Sequence, residues 1–270
     1  MSRIIVITSG KGGVGKTTCT ANIGMALAKK GRQVAVIDAD FGLRNLDLLL
    51  GLENRIVYTA LEVLSGECRL EQALVKDKRQ PNLVLLPAAQ NRMKDAVTPE
   101  QMKELVGMLE AKSYDYVVID CPAGIEQGFQ NAIAPAKEAV IVTTPEISAV
   151  RDADRVIGLL EANSIKRIRL LINRIRPQMV ESNDMMSVQD VEEILAIPLV
   201  GVVPDDEGVI VSTNKGEPLV LAETVTPAAK AFSNIARRLE GEKVEFIDFN
   251  PPPEGFLTRL RRLFSSKILG

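Results

Sequence analysis

The chain has 270 residues, with 33 Lys or Arg against 35 Asp or Glu, a net charge of −2 and 46% hydrophobic residues. That length and balance suit a globular domain with one sizeable core, and they argue against a whole-molecule electrostatic grip on nucleic acid. The absence of histidine excludes His-based triads, His general bases and His metal ligands. Cys19, Cys68 and Cys121 are too widely spaced for a zinc site, so reduced, buried thiols are expected.

The N-terminus leads straight into an apolar run, so no secretion signal is expected. No run of about 18 apolar residues occurs, so no membrane span is expected either. The first predicted strand is Ile4–Thr8. It is followed by Gly10-Lys11-Gly12-Gly13-Val14-Gly15-Lys16-Thr17, which fits the phosphate-loop pattern G-x-x-x-x-G-K-[ST] between a strand and a helix. Glycines in such a loop let the backbone close around phosphate oxygens, and the N–H groups from Gly12 to Thr18 face the anion. The pattern implies a nucleoside triphosphate, with Lys16 on the β- and γ-phosphates and Thr17 on Mg²⁺. Lys11 is a second lysine that a generic phosphate loop does not require.

Further along, the predicted strands are Val34–Asp38, Leu83–Leu86, Tyr116–Asp120, Ala139–Thr143, Ile168–Asn173 and Leu199–Val203. Predicted helices are Lys16–Lys30, Pro99–Lys112, Ser148–Asn163, Val188–Leu195 and Pro227–Glu240. Apolar strands without alternation, separated by helical segments, predict an α/β P-loop fold. Its sheet is mostly parallel, with helices on both faces. Two strands end in aspartate. Asp120 closes Val117-Val118-Ile119 and is the candidate Mg²⁺ acid, directly or through water. Asp38 stands nearer the phosphates, supporting either Mg²⁺ or the loop, and Asp40 is placed to orient an attacking water.

The domain is expected to end near 241, with a proline-containing linker over 242–255. Residues 256–268 wind as a helix that places Phe256, Leu257, Leu260, Leu263, Phe264 and Ile268 within an arc of roughly 140°. Arg259, Arg261 and Arg262 lie outside that arc, and Lys267 lies inside it, where its stem can snorkel. No acid follows Glu254, so the tail carries four cations and the remainder carries −6. A basic amphipathic helix tethered to an acidic body predicts attachment to an anionic membrane surface. A helix docked on the body or on a partner is the alternative.

Taken together, the loop with Lys11, Asp38-Ala39-Asp40 and Asp120-Cys121-Pro122-Ala123-Gly124 closely resemble the deviant Walker A ATPases, the ParA–MinD family. Phe41-Gly42-Leu43-Arg44-Asn45-Leu46-Asp47 and the run from Pro145 to Arg155 resemble its septum-positioning branch. The resemblance implies an ATP- and Mg²⁺-dependent hydrolase in which Lys11 reaches across an ATP-sandwich homodimer. Lys16, Asp40 and Asp120 would share the catalytic work with Lys11. It further implies that Asn173, with backbone near Pro204 and Asp205, reads the adenine. Glu146, Ser148, Arg151, Asp152 and Asp154 would form the dimer and partner surface, served by an inhibitor of the MinC type and an activator of the MinE type. The implied location is the cytoplasm, with reversible attachment to the inner face of the cell membrane or the equivalent plastid membrane. No specific nucleic acid is expected. The same core also serves partition ATPases that grip DNA and cluster-bearing electron-transfer proteins. No second cysteine sits convincingly for a bridging cluster.

Overall fold

The computed structural model describes residues 2–89 and 97–247. In chain order the elements are β1 (Arg3–Thr8), α1 (Lys16–Lys29), β2 (Val34–Asp38), α2 (Leu46–Leu50), α3 (Ala60–Leu64), α4 (Leu70–Ala73), β3 (Val75–Lys76), β4 (Leu83–Leu86) and α5 (Pro99–Ala111). They continue as β5 (Tyr116–Asp120), α6 (Gln127–Ile133), β6 (Glu138–Thr143), α7 (Ile147–Ala162), β7 (Arg167–Ile175), α8 (Pro177–Glu181), α9 (Val188–Leu195), β8 (Leu199–Pro204), α10 (Glu207–Asn214) and α11 (Pro227–Leu239).

Among the described residues the strands form one eight-stranded sheet in the order β3-β4-β2-β5-β1-β6-β7-β8. Every pairing is parallel except that of β3 with β4. Apolar strands are needed because each side of the sheet faces its own core. Ile4 and Val6 of β1 pack into one core, whereas Ile5 and Ile7 pack into the other. β2 divides in the same way, Ala35 and Ile37 against Val34 and Val36. This two-sided burial follows from the parallel topology, whose crossovers put helices on both faces.

Capping explains several helix starts. Thr98 and Ser187 each make a reciprocal capping box, and Thr226 accepts from the Ala229 N–H. Proline at the first turn of α5, α8 and α11 occupies a position where its missing N–H costs nothing. All five long helices and all seven strands expected from the sequence are present, most with ends shifted by one or two residues.

The chain does not leave the body at 241. Arg238 donates to the carbonyls of Val200, Val244 and Glu245, and its guanidinium lies 3.9 Å from the Phe246 ring centroid. Glu242 is hydrogen-bonded to Lys30 and Arg237. Residues 242–247 therefore run against the body beside the edge strand β8. The tail residues singled out for the membrane, from Phe256 to Ile268, lie outside the described residues. Among those that are described, no helix is long and apolar enough to cross a membrane.

Candidate functional site

The carboxyl ends of β1, β2 and β5 meet at the middle of the sheet, where the strand order reverses direction around β1. Ligands of open α/β sheets bind at such a switch point. Gly10 to Gly15 bridges β1 to α1 there. Gly15 has φ +98°, and a Cβ on it would stand 2.4 Å from Nδ2 of Asn173. Only glycine fits both the backbone and the space. At the loop's other end, a Cβ on Gly10 would stand 2.2 Å from the Asp152 carbonyl oxygen, so α7 presses on the loop's origin.

Lys16 is buried, and its ammonium donates to Ser9 Oγ at 2.9 Å. Ser9 Oγ in turn donates to the Lys11 carbonyl at 2.7 Å. Ser9 was not singled out from the sequence, because it precedes the glycine pattern and the pattern is silent about it. Among the described residues the one hydrogen-bond partner of this buried ammonium is a neutral hydroxyl, which suits a site for an anion. Lys11 is different. Its side chain is 41% exposed, and Nζ lies 3.3 Å from Glu146 Oε2 and 3.1 Å from Ser148 Oγ. Glu146 and Ser148, two of the residues expected at a dimer surface, thus stand beside the phosphate loop. Arg151 and Asp154 are exposed on the same helix, α7, and Asp152 is half-buried against Gly10.

Asp38 and Asp120 are register partners on β2 and β5, and both are buried. Burial raises the Asp120 carboxyl well above the usual carboxylate range, and the neighbouring Asp38 charge adds to this, against hydrogen bonds from Thr17 and Thr20. Thr20 Oγ1 stands 3.0 Å from Asp120 Oδ1, a contact that the phosphate-loop pattern does not announce. Burial raises Asp38 too, against three backbone N–H groups. Its Oδ1 accepts from Asp40 at 3.0 Å, and its Oδ2 accepts from Asn45 and Leu46, both at 3.1 Å. These three bonds run to residues 40–46 rather than to the phosphate loop. Asp38 fixes the segment that carries half-buried Asp40, and it closes the start of α2. Arg44 reinforces this segment by pairing with buried Asp47 at 2.6 Å.

Asn173 donates from Nδ2 to the Val14 carbonyl at 2.8 Å, so its amide is tied to the phosphate loop from below. It also lines a cavity of about 650 Å³, together with Thr18, Pro204, Asp205, Ile210 and Phe232. The expected adenine residues are therefore together, in a space within the usual range of ligand sites. Arg176 and Asp205, both in the cavity wall, pair at 2.6 Å.

The arrangement fits a magnesium nucleotide. Two positive-φ glycines, Gly13 and Gly15, shape the loop, and among the described residues none beyond the chain neighbours comes within 4 Å of a Cβ placed on Gly13. A buried lysine and a strand-end carboxylate beside threonine hydroxyls complete it. Among the described residues no three Cys, Asp or Glu gather as a metal cage. Mg²⁺ does not need one, since it keeps waters and takes phosphate oxygens as ligands.

The model of the ParA family, described as NUBPL iron-transfer P-loop NTPase, matches residues 1–240. The septum site-determining protein MinD of Synechocystis sp. is 65% identical over 262 residues, covering 97% of this chain and 98% of that one. Among solved structures, the MinC:MinD cell division protein complex of Aquifex aeolicus matches at 50% identity with a TM-score of 0.86, over 93% of this chain and 100% of that one. The Pyrococcus horikoshii septum site-determining protein MinD complexed with Mg-ADP matches at 33% identity with a TM-score of 0.80, over 89% and 96%.

Proposed function

The chain belongs to the septum site-determining MinD proteins within the ParA family of P-loop ATPases, and from that premise we propose a membrane switch driven by ATP and Mg²⁺. In this reading ATP joins two copies, paired tails hold the membrane, and hydrolysis releases both. The body recruits a MinC-type division inhibitor, and a MinE-type activator triggers hydrolysis.

The observation that carries the reading is the position of Lys11. It belongs to the phosphate loop, yet its ammonium rests on Glu146 and Ser148 at the exposed rim. An exposed ion pair of this kind contributes about 0–1 kcal/mol, so it yields readily to a better anion. A partner's nucleotide at that rim supplies one, and Glu146 and Ser148 then become free to meet the partner. Within each site, Lys16 exchanges Ser9 for phosphate oxygens, and loop N–H groups hold the anion. Asp40, fixed through Asp38, positions water. Thr17 and Asp120 would hold Mg²⁺, directly or through water. Bound there, Mg²⁺ would neutralise charge on the β- and γ-phosphates. The adenine occupies the cavity beside Asn173, Pro204 and Asp205.

Membrane attachment rests on the tail's composition. Each cation near an anionic leaflet contributes about 1 kcal/mol, and each inserted apolar side chain about 1–2 kcal/mol. Ordering the tail costs about 1 kcal/mol or more per residue, which leaves a single tail marginal. Two tails on one dimer gain a factor of roughly 10²–10⁴ without any new contact. The test is Lys11→Ala, which should retain ATP binding and lose both ATP-dependent dimerisation and cosedimentation with anionic vesicles. A Lys11→Ala protein that dimerises and binds vesicles like the parent would overturn the shared site.

A further inference from the structure

Beside the edge strand β8 lies a cavity of about 380 Å³, its wall mostly apolar through Val180 of α8, Val188 of α9, Leu199 and Val202 of β8, and Phe246 and Ile247, with Ser187, Gln189 and Glu192 as its polar members. We propose that this cavity is the seat of the chain's own C-terminal segment, residues 256–268, whenever that segment is not in a membrane. The proposal deepens the reading above and rests on it for the membrane step alone.

Three observations carry it. The first is position: Ile247, the last described residue, is itself part of the cavity wall. Phe256 follows nine residues later, a span of at most about 30 Å, so the apolar segment begins within reach of the cavity. The second is charge. Glu192 lines the cavity, and Glu181 and Glu193 stand on the same two helices. None of the three has an ion-pair partner among the described residues. The segment brings Arg259, Arg261, Arg262 and Lys267 and no acid. The third is the apolar content of the segment, six large side chains in thirteen residues. Apolar content of that kind needs cover in water, and the cavity offers it for a part of those side chains on the chain's own body.

The seat also adjoins the nucleotide cavity. Ile175 and Pro177 line both spaces, so the short stretch from β7 into α8 is a common wall. Arg174 within that stretch has a positive φ, and β7 changes register there against β8. A seated tail is unavailable to lipid, and its apparent vesicle affinity falls in proportion to the unseated fraction.

The test uses the full chain with Ser265→Cys carrying a polarity-sensitive fluorophore. Labelling is selective because the three native cysteines are buried. In ADP and without vesicles, the fluorophore should report an apolar environment. It should shift to a water-like spectrum with Val188→Trp, which plugs the cavity, and with the pair Glu181→Lys and Glu192→Lys, which repels the tail. Vesicles containing phosphatidylglycerol should then bind Val188→Trp more tightly, roughly tenfold if the seated form is about nine-tenths of the population. Unchanged basal ATPase confirms that each variant is folded. A water-like spectrum in the parent chain, with Val188→Trp binding vesicles as the parent does, would overturn the seat and leave the membrane reading standing. An apolar spectrum that Val188→Trp abolishes, with no vesicle binding by any form, would establish the seat and overturn the membrane reading.

Discussion

Asp38→Asn separates holding the switch segment from carrying charge. The carboxylate accepts from Asp40 through one oxygen, and from Asn45 and Leu46 through the other. An asparagine has one acceptor oxygen and one amide that cannot accept. The amide must therefore face one of the two groups of donors. Turning its oxygen to Asn45 and Leu46 keeps two bonds, preserves the start of α2 and abandons Asp40. A backbone hydrogen bond to a charged group contributes about 1.5–3 kcal/mol. Removing a buried charge beside Asp120 recovers part of that loss, so unfolding stability should change by about 1 kcal/mol or less. Positioning of Asp40 has no such compensation. Losing about 1.5–3 kcal/mol there slows hydrolysis roughly tenfold to a hundredfold. Asp38→Ala, which abandons all three donors, should cost about 2–5 kcal/mol of stability as well. The assays are phosphate release with vesicles present and thermal unfolding of the same samples. Hydrolysis at the parent rate in Asp38→Asn would refute the idea that this carboxylate sets Asp40.

Gly15→Ala places a Cβ against Asn173 at a φ that alanine disfavours. About 1–2 kcal/mol of backbone strain and a broken Asn173 to Val14 bond should remove most ATP affinity in calorimetry. The metal-free protein should lose stability as the pH rises from about 4 through neutrality. Asp38 and Asp120 titrate higher when folded than when unfolded, so their contribution is present at low pH and lost on deprotonation. Mg²⁺ with nucleotide should accordingly raise the melting temperature more at pH 8 than at pH 5, and an equal rise at both would contradict the assignment. At the opposite end of the sheet, burial works against ionisation of Glu138, but Arg3 and Arg169 hold its carboxyl below the usual range. Glu138→Gln should therefore cost about 1–3 kcal/mol at pH 7. That difference should begin to shrink in denaturant titrations once the pH falls below the ordinary glutamate value of about 4.3, and should be gone only below the lowered folded value, because the carboxylate's contribution is lost as the pH falls.

The phosphate loop was legible because its chemistry is local. Contiguous glycines, one lysine and one threonine define it, and the strand before it reads as buried on both faces. What the sequence left open at Asp38 had a different cause. Whether a strand-end carboxylate faces a metal or a backbone depends on where residues 40–46 return, and that path has no periodic signal. The same reason hid α2, α3, α4, α6 and α8. Four to seven residues are too short for a helical stripe, and tertiary contacts rather than propensity hold such turns. α10 escaped because Val209, Ile210 and Val211 give it a run of β-branched residues where a stripe would be expected. Thr20 was missed through distance, because it matters through Asp120, which folding brings close; Ser9 was missed because it stands just ahead of the glycine pattern.

The linker marks where composition misleads. Glu242 to Ile247 alternates charged and apolar residues and looks like a solvated tether, yet the guanidinium of Arg238 gathers three carbonyls and the Phe246 ring there. That clamp shortens the tether and fixes its origin at the mostly apolar cavity. A tail released from that point samples a smaller volume than one hinged at 241, so its effective concentration is higher both at the cavity and at a membrane holding its twin. Arg238→Ala should therefore weaken the seated state and the two-tailed grip together. Loss of the cavity's own apolar lining should weaken the seat alone. Comparing the two variants by fluorophore spectrum and by vesicle cosedimentation distinguishes an anchor that sets geometry from a pocket that supplies affinity.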